Sequence, residues 1–137
     1  QPGGLVFRLP GTAVTLPRND ILQAQLAKAA IAAGLDLLLK SQNLFQPDLS
    51  QALVSGSVVP GLSLAAAKAI GLLPASLSVE PRLLENDALD GATLLLGNGQ
   101  ARADLRALAS RCRSWEGTED PGFQQAYLRR MTLEPMY

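Results

Sequence analysis

The sequence predicts an α/β fold in which a short mixed sheet is covered by helices. Three observations predict it. The chain is 47% hydrophobic but only 4% aromatic, and Leu and Ala carry much of the apolar content, a composition typical of helices laid over a modest sheet. One long segment repeats apolar residues at helical spacing, and short apolar runs bounded by Pro and Gly read as strands. A length of 137 residues suits one domain with a real core.

In chain order, residues 4–9 and 12–16 read as two strands of a hairpin. Leu5, Phe7 and Leu9 alternate with Val6 and Arg8, and Pro10-Gly11 marks the turn. Residues 1–16 therefore form an N-terminal hairpin, and residues 17–137 a helix–strand–helix–strand–helix core with C-terminal helices. The long helix is expected over residues 20–40. Asp20 is placed to cap it, with Gln23 at capping-box spacing. Leu22, Leu26, Ala29, Ala33 and Leu37 form its apolar stripe, and Gly34 within it suggests a tight crossing or a bend, since glycine costs about 1 kcal/mol there relative to alanine. Residues 51–55 read as a strand whose continuous Ala52-Leu53-Val54 suits burial on both faces. It opens into Gly56 and Pro60-Gly61, then a short helix over residues 64–70 with Ser63 as its cap and Gly71 as its stop. Residues 77–84 read as a strand that Pro81 confines to an edge or to a late start. Helices follow over residues 88–96 and 101–112, separated by Gly97-Asn98-Gly99. Trp115 begins a short extended piece, and a last helix over residues 122–131 starts at Asp120-Pro121.

Composition excludes several chemistries. Lysine and arginine number 12 and so do aspartate and glutamate, for a net charge of +0, so no nucleic-acid partner is expected. Arg102, Arg106, Arg111 and Arg113 cluster, but Asp104 and Glu116 interleave with them as on a solvated helix face. There is no histidine, and Cys112 is the only cysteine. Histidine-based triads, histidine metal sites, an internal disulfide and an iron–sulfur cluster held by this chain's own thiolates are thereby excluded. No membrane span is expected, because no run approaches the roughly 20 apolar residues required. No signal peptide is evident. A start at Gln1 rather than Met fits a processed chain or a piece of a longer one. No catalytic acid–base pair, nucleophile or metal set stands out. Asp87 and Asp90 near Glu85 fit the acidic preference of a helix N-terminus, and Cys112, although Arg111 and Arg113 flank it, reads as a partly buried structural thiol.

Four stretches line up with one family. Asp20-Ile21 followed by residues 25–31 (QLAKAAI), residues 70–74 (IGLLP), Asn86 with Gly91-Ala92, and Pro121, Phe123, Tyr127, Met131 and Pro135 together resemble the C-terminal domain of the reductive activators of corrinoid proteins. The likeness runs from about Val14 to Pro135. It implies a cytoplasmic parent with a [2Fe–2S] domain outside this chain. It also implies half of an actin-like, ribonuclease H-like ATPase domain, with residues 1–137 as a single C-terminal ATPase-type subdomain. ATP with Mg²⁺ in such parents drives electron transfer from the iron–sulfur centre to a Co(II) corrinoid, giving Co(I) for methyl transfer. The partners so implied are the rest of its own polypeptide, a corrinoid protein and, through apolar surface left bare, a second copy of the chain.

The resemblance also points to a nucleotide site: Ser55, Gly56, Ser57, Lys28 and Asn86. The family's loop reads AGGFG where this chain has Ser55-Gly56-Ser57-Val58-Val59. Gly56 keeps the first glycine, while Ser57 and Val59 replace two others, and a β-branched valine disfavours positive φ. Competing readings are a tight turn for Gly56, a solvated mid-helix lysine for Lys28, and loop bonding for Asn86. Two functions follow. One is the nucleotide-binding half of an ATP-dependent reductive activator. The other is a degenerate actin-like domain without nucleotide, serving as a protein-interaction or docking module. An unrelated α/β domain is a third.

Overall fold

The computed structural model describes residues 6–136, so Gly4 and Leu5 of the expected first strand lie outside the described residues. In chain order the elements are β1 (Val6–Arg8), β2 (Thr15–Pro17), α1 (Arg18–Ser41), β3 (Leu53–Ser55), α2 (Leu64–Ala69), β4 (Arg82–Leu84), α3 (Asp87–Gly97), α4 (Gly99–Ala109) and α5 (Phe123–Arg129). The fold is the mixed α/β arrangement the composition predicts, with strands shorter than their apolar runs.

β1 and β2 pair antiparallel, Val6 opposite Pro17 and Arg8 opposite Thr15. The Leu9 amide donates to the Val14 carbonyl across the turn (3.1 Å), and Gly11 supplies its positive φ of 74°. β2 runs straight into α1. Pro17 pairs in the hairpin and also takes the N-cap position in extended conformation, with no side-chain cap. Asp20 is therefore not the cap. It falls in the first turn, where a carboxylate complements the helix dipole.

The 24-residue α1 extends about 36 Å and organises the core. Ala29, Ala33 and Leu37 of the expected stripe are buried, joined by Lys28, Ala32 and Leu39, while Leu22 is exposed. Small side chains let α5 lie close across this face. Ala33, Leu37 and Ala126 are its buried contacts, with Trp115, Phe123 and Tyr127 packed around them. Phe123 and Tyr127, one turn apart, stack with ring centroids 6.0 Å apart. Arg130 just beyond α5 reaches Asp36 on α1, its Nε and Nη2 donating to one carboxylate oxygen at 2.8 and 2.6 Å. Alone, α1 is long and apolar enough to cross a bilayer, but its alanine face is packed, and Lys28 and Asp36 in its length are tied to tertiary partners. Its alanine face supplies the core, while Leu22, Ile31 and Leu38 on its other faces are exposed. The last helix begins at Phe123 rather than at Pro121, because the Asp120 carboxylate holds the preceding turn through the Gly122 amide (2.7 Å).

β3 and β4 form a two-stranded parallel sheet. β4 starts late, after Pro81, as its proline requires. Among the described residues β3 has a neighbour on one side only, so Leu53 is half exposed rather than central as its apolar run suggested. Ser63 caps α2 by accepting from the Ala66 amide (3.3 Å). Gly71, at φ 72°, ends it in a Schellman motif, with Gly71 N–H bonded to the Lys68 carbonyl (3.1 Å) and Leu72 N–H to that of Ala67 (2.8 Å). α3 and α4 pack on each other. Asn98 caps α4 through the Ala101 amide (3.1 Å), and Arg102 bonds back to the last carbonyls of α3. Their leucines face outward, among them Leu89, Leu94, Leu96, Leu105 and Leu108. Cys112, expected to be partly buried, is exposed just beyond α4. Trp115 lies on no strand. It packs over Gly117 against the α1–α5 core.

Gly34 makes no close crossing: a Cβ built there meets nothing within 4 Å. Gly34→Ala should therefore raise stability by roughly 0.5–1 kcal/mol through helix propensity alone. Urea denaturation checks this, and a lower midpoint would reveal packing against Gly34.

Candidate functional site

Parallel pairing decides where the chain can bind a ligand. Leu53, Val54 and Ser55 lie opposite Arg82, Leu83 and Leu84, so both strands release their loops at the same end. In open α/β sheets the carboxyl ends of parallel strands form the ligand crevice. Here the two loops enclose a cleft of about 260 Å³ lined by Gly56, Ser57, Pro60, Glu85, Asn86, Asp87 and Ala88.

Each wall depends on a residue able to take an uncommon backbone conformation. Gly56 has φ 127°, a region L-residues rarely enter. Its carbonyl then accepts from the Val59 amide (3.1 Å), closing a tight turn. That turn answers the loss of the other loop glycines. Among the described residues only Asn43 and Asn86 combine a side chain with positive φ, so neither Ser57 nor Val59 needs it. Val59 is buried at 1% exposure in the core and does not line the cleft. On the facing wall, Asn86 stands at φ 57° before the first turn of α3, with no side-chain capping bond. Asparagine suits that position because it tolerates the left-handed region better than other residues bearing a Cβ.

The structure thus brings together Gly56, Ser57 and Asn86. Ser55, the last residue of β3, adjoins them in the chain without lining the cleft. Glu85 and Asp87 complete the wall. In sequence they look like ordinary acidic residues of a helix start, and only the β3–β4 register turns them toward a shared space. No lysine or arginine lines the cleft, and α2 is six residues long, too short to offer phosphate a useful dipole. Two carboxylates, an exposed serine and a close-approach glycine suit donors such as ribose hydroxyls or an amino group, with no cation for phosphate. Among the described residues no group of three or more Asp, Glu, Cys or His is placed to hold a metal.

Lys28 lies elsewhere, and it is not a solvated lysine. It is 4% exposed, and its Nζ donates to the carbonyls of Arg130 and Thr132, each at 2.7 Å. Gly71 makes room for it. A Cβ at that glycine would lie 3.1 Å from Lys28 Cε and Nζ and would collide with the Glu134 carbonyl. Beyond Glu134, the chain bridges Pro74 at Met136, and the Ala75 amide donates to the Met136 carbonyl (2.8 Å). The amine therefore ties α1 to the end of α5 and to the tail. Burial pushes its pKa below the ordinary value of 10.5, with Arg130 adding to the fall and Glu134 opposing it.

Two comparisons bear on this geometry. A family profile described as the C-terminal domain of RACo, the ASKHA domain, matches residues 8–136. The chain is also 30% identical over 118 residues to the corrinoid activation enzyme RamQ of Eubacterium limosum, an alignment covering 86% of this chain and 20% of that protein. The chain therefore spans about a fifth of the length of this curated relative.

The Lys28 geometry predicts a stability profile. The unfolded chain keeps the lysine proton up to about 10.5, whereas the folded chain releases it at lower pH. Between those points the unfolded state binds more protons, so stability rises with pH there and this contribution is level below the folded pKa. Lys28→Met should lower stability by about 1–3 kcal/mol by leaving two carbonyls without their donor. It should also remove the alkaline rise. Denaturation from about pH 8 to pH 10.5 tests both, and parallel profiles for the two proteins would refute the assignment.

Proposed function

We infer the function from one premise: the chain belongs to the family of RACo C-terminal domains, the ASKHA domains. On that premise we propose that it is the nucleotide-binding half of an ATP-dependent reductive activator, which returns a Co(II) corrinoid to Co(I) for methyl transfer. The observation that carries the reading is the strand-end cleft, where Gly56, Ser57 and Asn86 converge. In this proposal the cleft takes the adenosine part of ATP. The Ser57 hydroxyl and the carboxylates of Glu85 and Asp87 accept hydrogen bonds from ribose hydroxyls or an amino group, and Gly56 lets the backbone approach. The Mg²⁺ and phosphates are held by the rest of the same polypeptide, where this cleft supplies no cation. A [2Fe–2S] centre also lies outside this chain, which has a single cysteine. Bound nucleotide couples the two halves so that hydrolysis drives the uphill reduction. The parent works in the cytoplasm on a corrinoid protein.

One observation favours a second reading. The cleft is small and lined by Glu85 and Asp87 without a compensating lysine or arginine, which suits a domain that has given up nucleotide and acts as a docking module.

Calorimetry on the intact polypeptide carrying this domain separates the two. The first reading expects saturable binding of ATP with Mg²⁺, weakened about tenfold or more (1.4 kcal/mol) by Gly56→Val. Absence of heat from the unaltered protein would leave the docking reading. In the first reading the rest of the polypeptide also covers the outward leucines of α3 and α4, of which Leu96 is 85% exposed. The isolated chain should then self-associate, and light scattering that finds only monomer at high concentration would contradict this.

A further inference from the structure

A second recess, sharing no lining residue with the strand-end cleft, forms where α1 ends. Leu39, Leu44, Phe45 and Pro47 give it apolar walls around about 600 Å³, within the range of roughly 300–1,000 Å³ common for ligand clefts. Its rim is held by local bonds. Asn43, at φ 55°, turns the chain back so that the Leu44 amide reaches the Leu39 carbonyl (2.9 Å). The Asp48 carboxylate accepts from the Phe45 amide (2.8 Å), and the Ser76 hydroxyl bonds to the Gln46 side chain. These restraints hold Phe45 with 74% of its surface exposed. An aromatic fixed in the open beside an apolar recess is costly to leave uncovered.

The recess continues into a second hollow of about 390 Å³ at the end of α5, the two sharing Asp36 and Lys40. Arg129 and Arg130 line this part. Asp36 neutralises Arg130, and Lys40 and Arg129 have no ion-pair partner among the described residues. Complementing the helix dipoles accounts for a cation in each last turn, but not for Lys40 lining both hollows, with Phe45 in the first and Arg129 in the second.

We propose that this groove docks an acidic peptide segment of a partner protein, with one bulky apolar side chain in the recess and carboxylates against Lys40 and Arg129. Charge complementarity selects the partner: the polar end of the groove carries excess positive charge, although the whole chain has a net charge of +0. The groove uses none of the residues assigned to nucleotide, so the two proposals stand or fall separately.

The test uses the intact polypeptide carrying this domain and a short fluorescein-labelled peptide of Phe, Leu, Asp and Glu, read by anisotropy. Expected are saturable binding that weakens with salt, and a loss of about tenfold or more in a Lys40→Glu, Arg129→Glu double variant, where like charges face each other. Phe45→Ala should weaken binding while leaving its salt dependence in place. All three side chains are exposed, and a retained circular dichroism spectrum shows that the variants fold. No saturable binding, equal binding of a peptide with Lys in place of Asp and Glu, or unchanged affinity in the double variant would overturn the proposal. Tighter binding of oligothymidine or of anionic vesicles than of the peptide would also overturn it, by giving the groove to another class of partner.

Discussion

A buried ammonium held by two main-chain carbonyls constrains the architecture more than any other feature. Lys28 is enclosed on the alanine face of α1 and bonds to two main-chain carbonyls just past α5. A charge so placed is tolerated only if its donors are used, so the chain after α5 must return to one place. Gly71 is part of the same constraint, since any side chain there would meet the Glu134 carbonyl and the lysine itself. Three distant stretches, the middle of α1, the end of α2 and the C-terminal tail, are thereby locked together. The Asp36–Arg130 pair and the Ala33–Leu37–Ala126 contact extend the same seam along α1.

Once that seam is set, the rest of the fold hangs from it in pieces with little core of their own. The parallel β3–β4 pair has no further strands in the described residues, and neither α3 nor α4 has a fully buried residue. Parallel sheets are ordinarily covered on both faces. An open two-stranded sheet and a leucine-bearing helix pair leave apolar surface exposed in this domain.

The chemistry of the strand-end cleft follows from backbone more than from side chains. Gly56 and Asn86 occupy left-handed conformations on opposite walls, and the parallel register makes those walls face each other. The acidic pair in that space suits proton donors. It is the wrong sign for phosphate, so a nucleotide held here would depend on cations from elsewhere for its charged end.

Local signals in the sequence were read well where the physics is local. Ser63 as a cap, Gly71 as a stop, Pro81 delaying a strand and Asn98 separating two helices each depend on a few neighbouring residues, and each appears as expected. Asp20 failed as a cap because Pro17 was already committed to the hairpin, a pairing that helix-start patterns do not contain. Gly34 was expected at a crossing or a bend, but the α1–α5 contact uses Ala33 and Leu37 on the adjoining face and leaves Gly34 clear of it. Gly56, Ser57 and Asn86 could be nominated in sequence through family likeness, but their shared cleft with Glu85 and Asp87 exists only because residues some 30 positions apart pair in parallel. Lys28 shows the limit most clearly: its acceptors are 102 and 104 residues away. Which segments are helical, the glycine and proline punctuation between them, and the family were all legible in the sequence alone. Which polar groups share a space was not, because a buried charge or a cleft wall is defined by contacts that close over long stretches of chain and leave no local pattern.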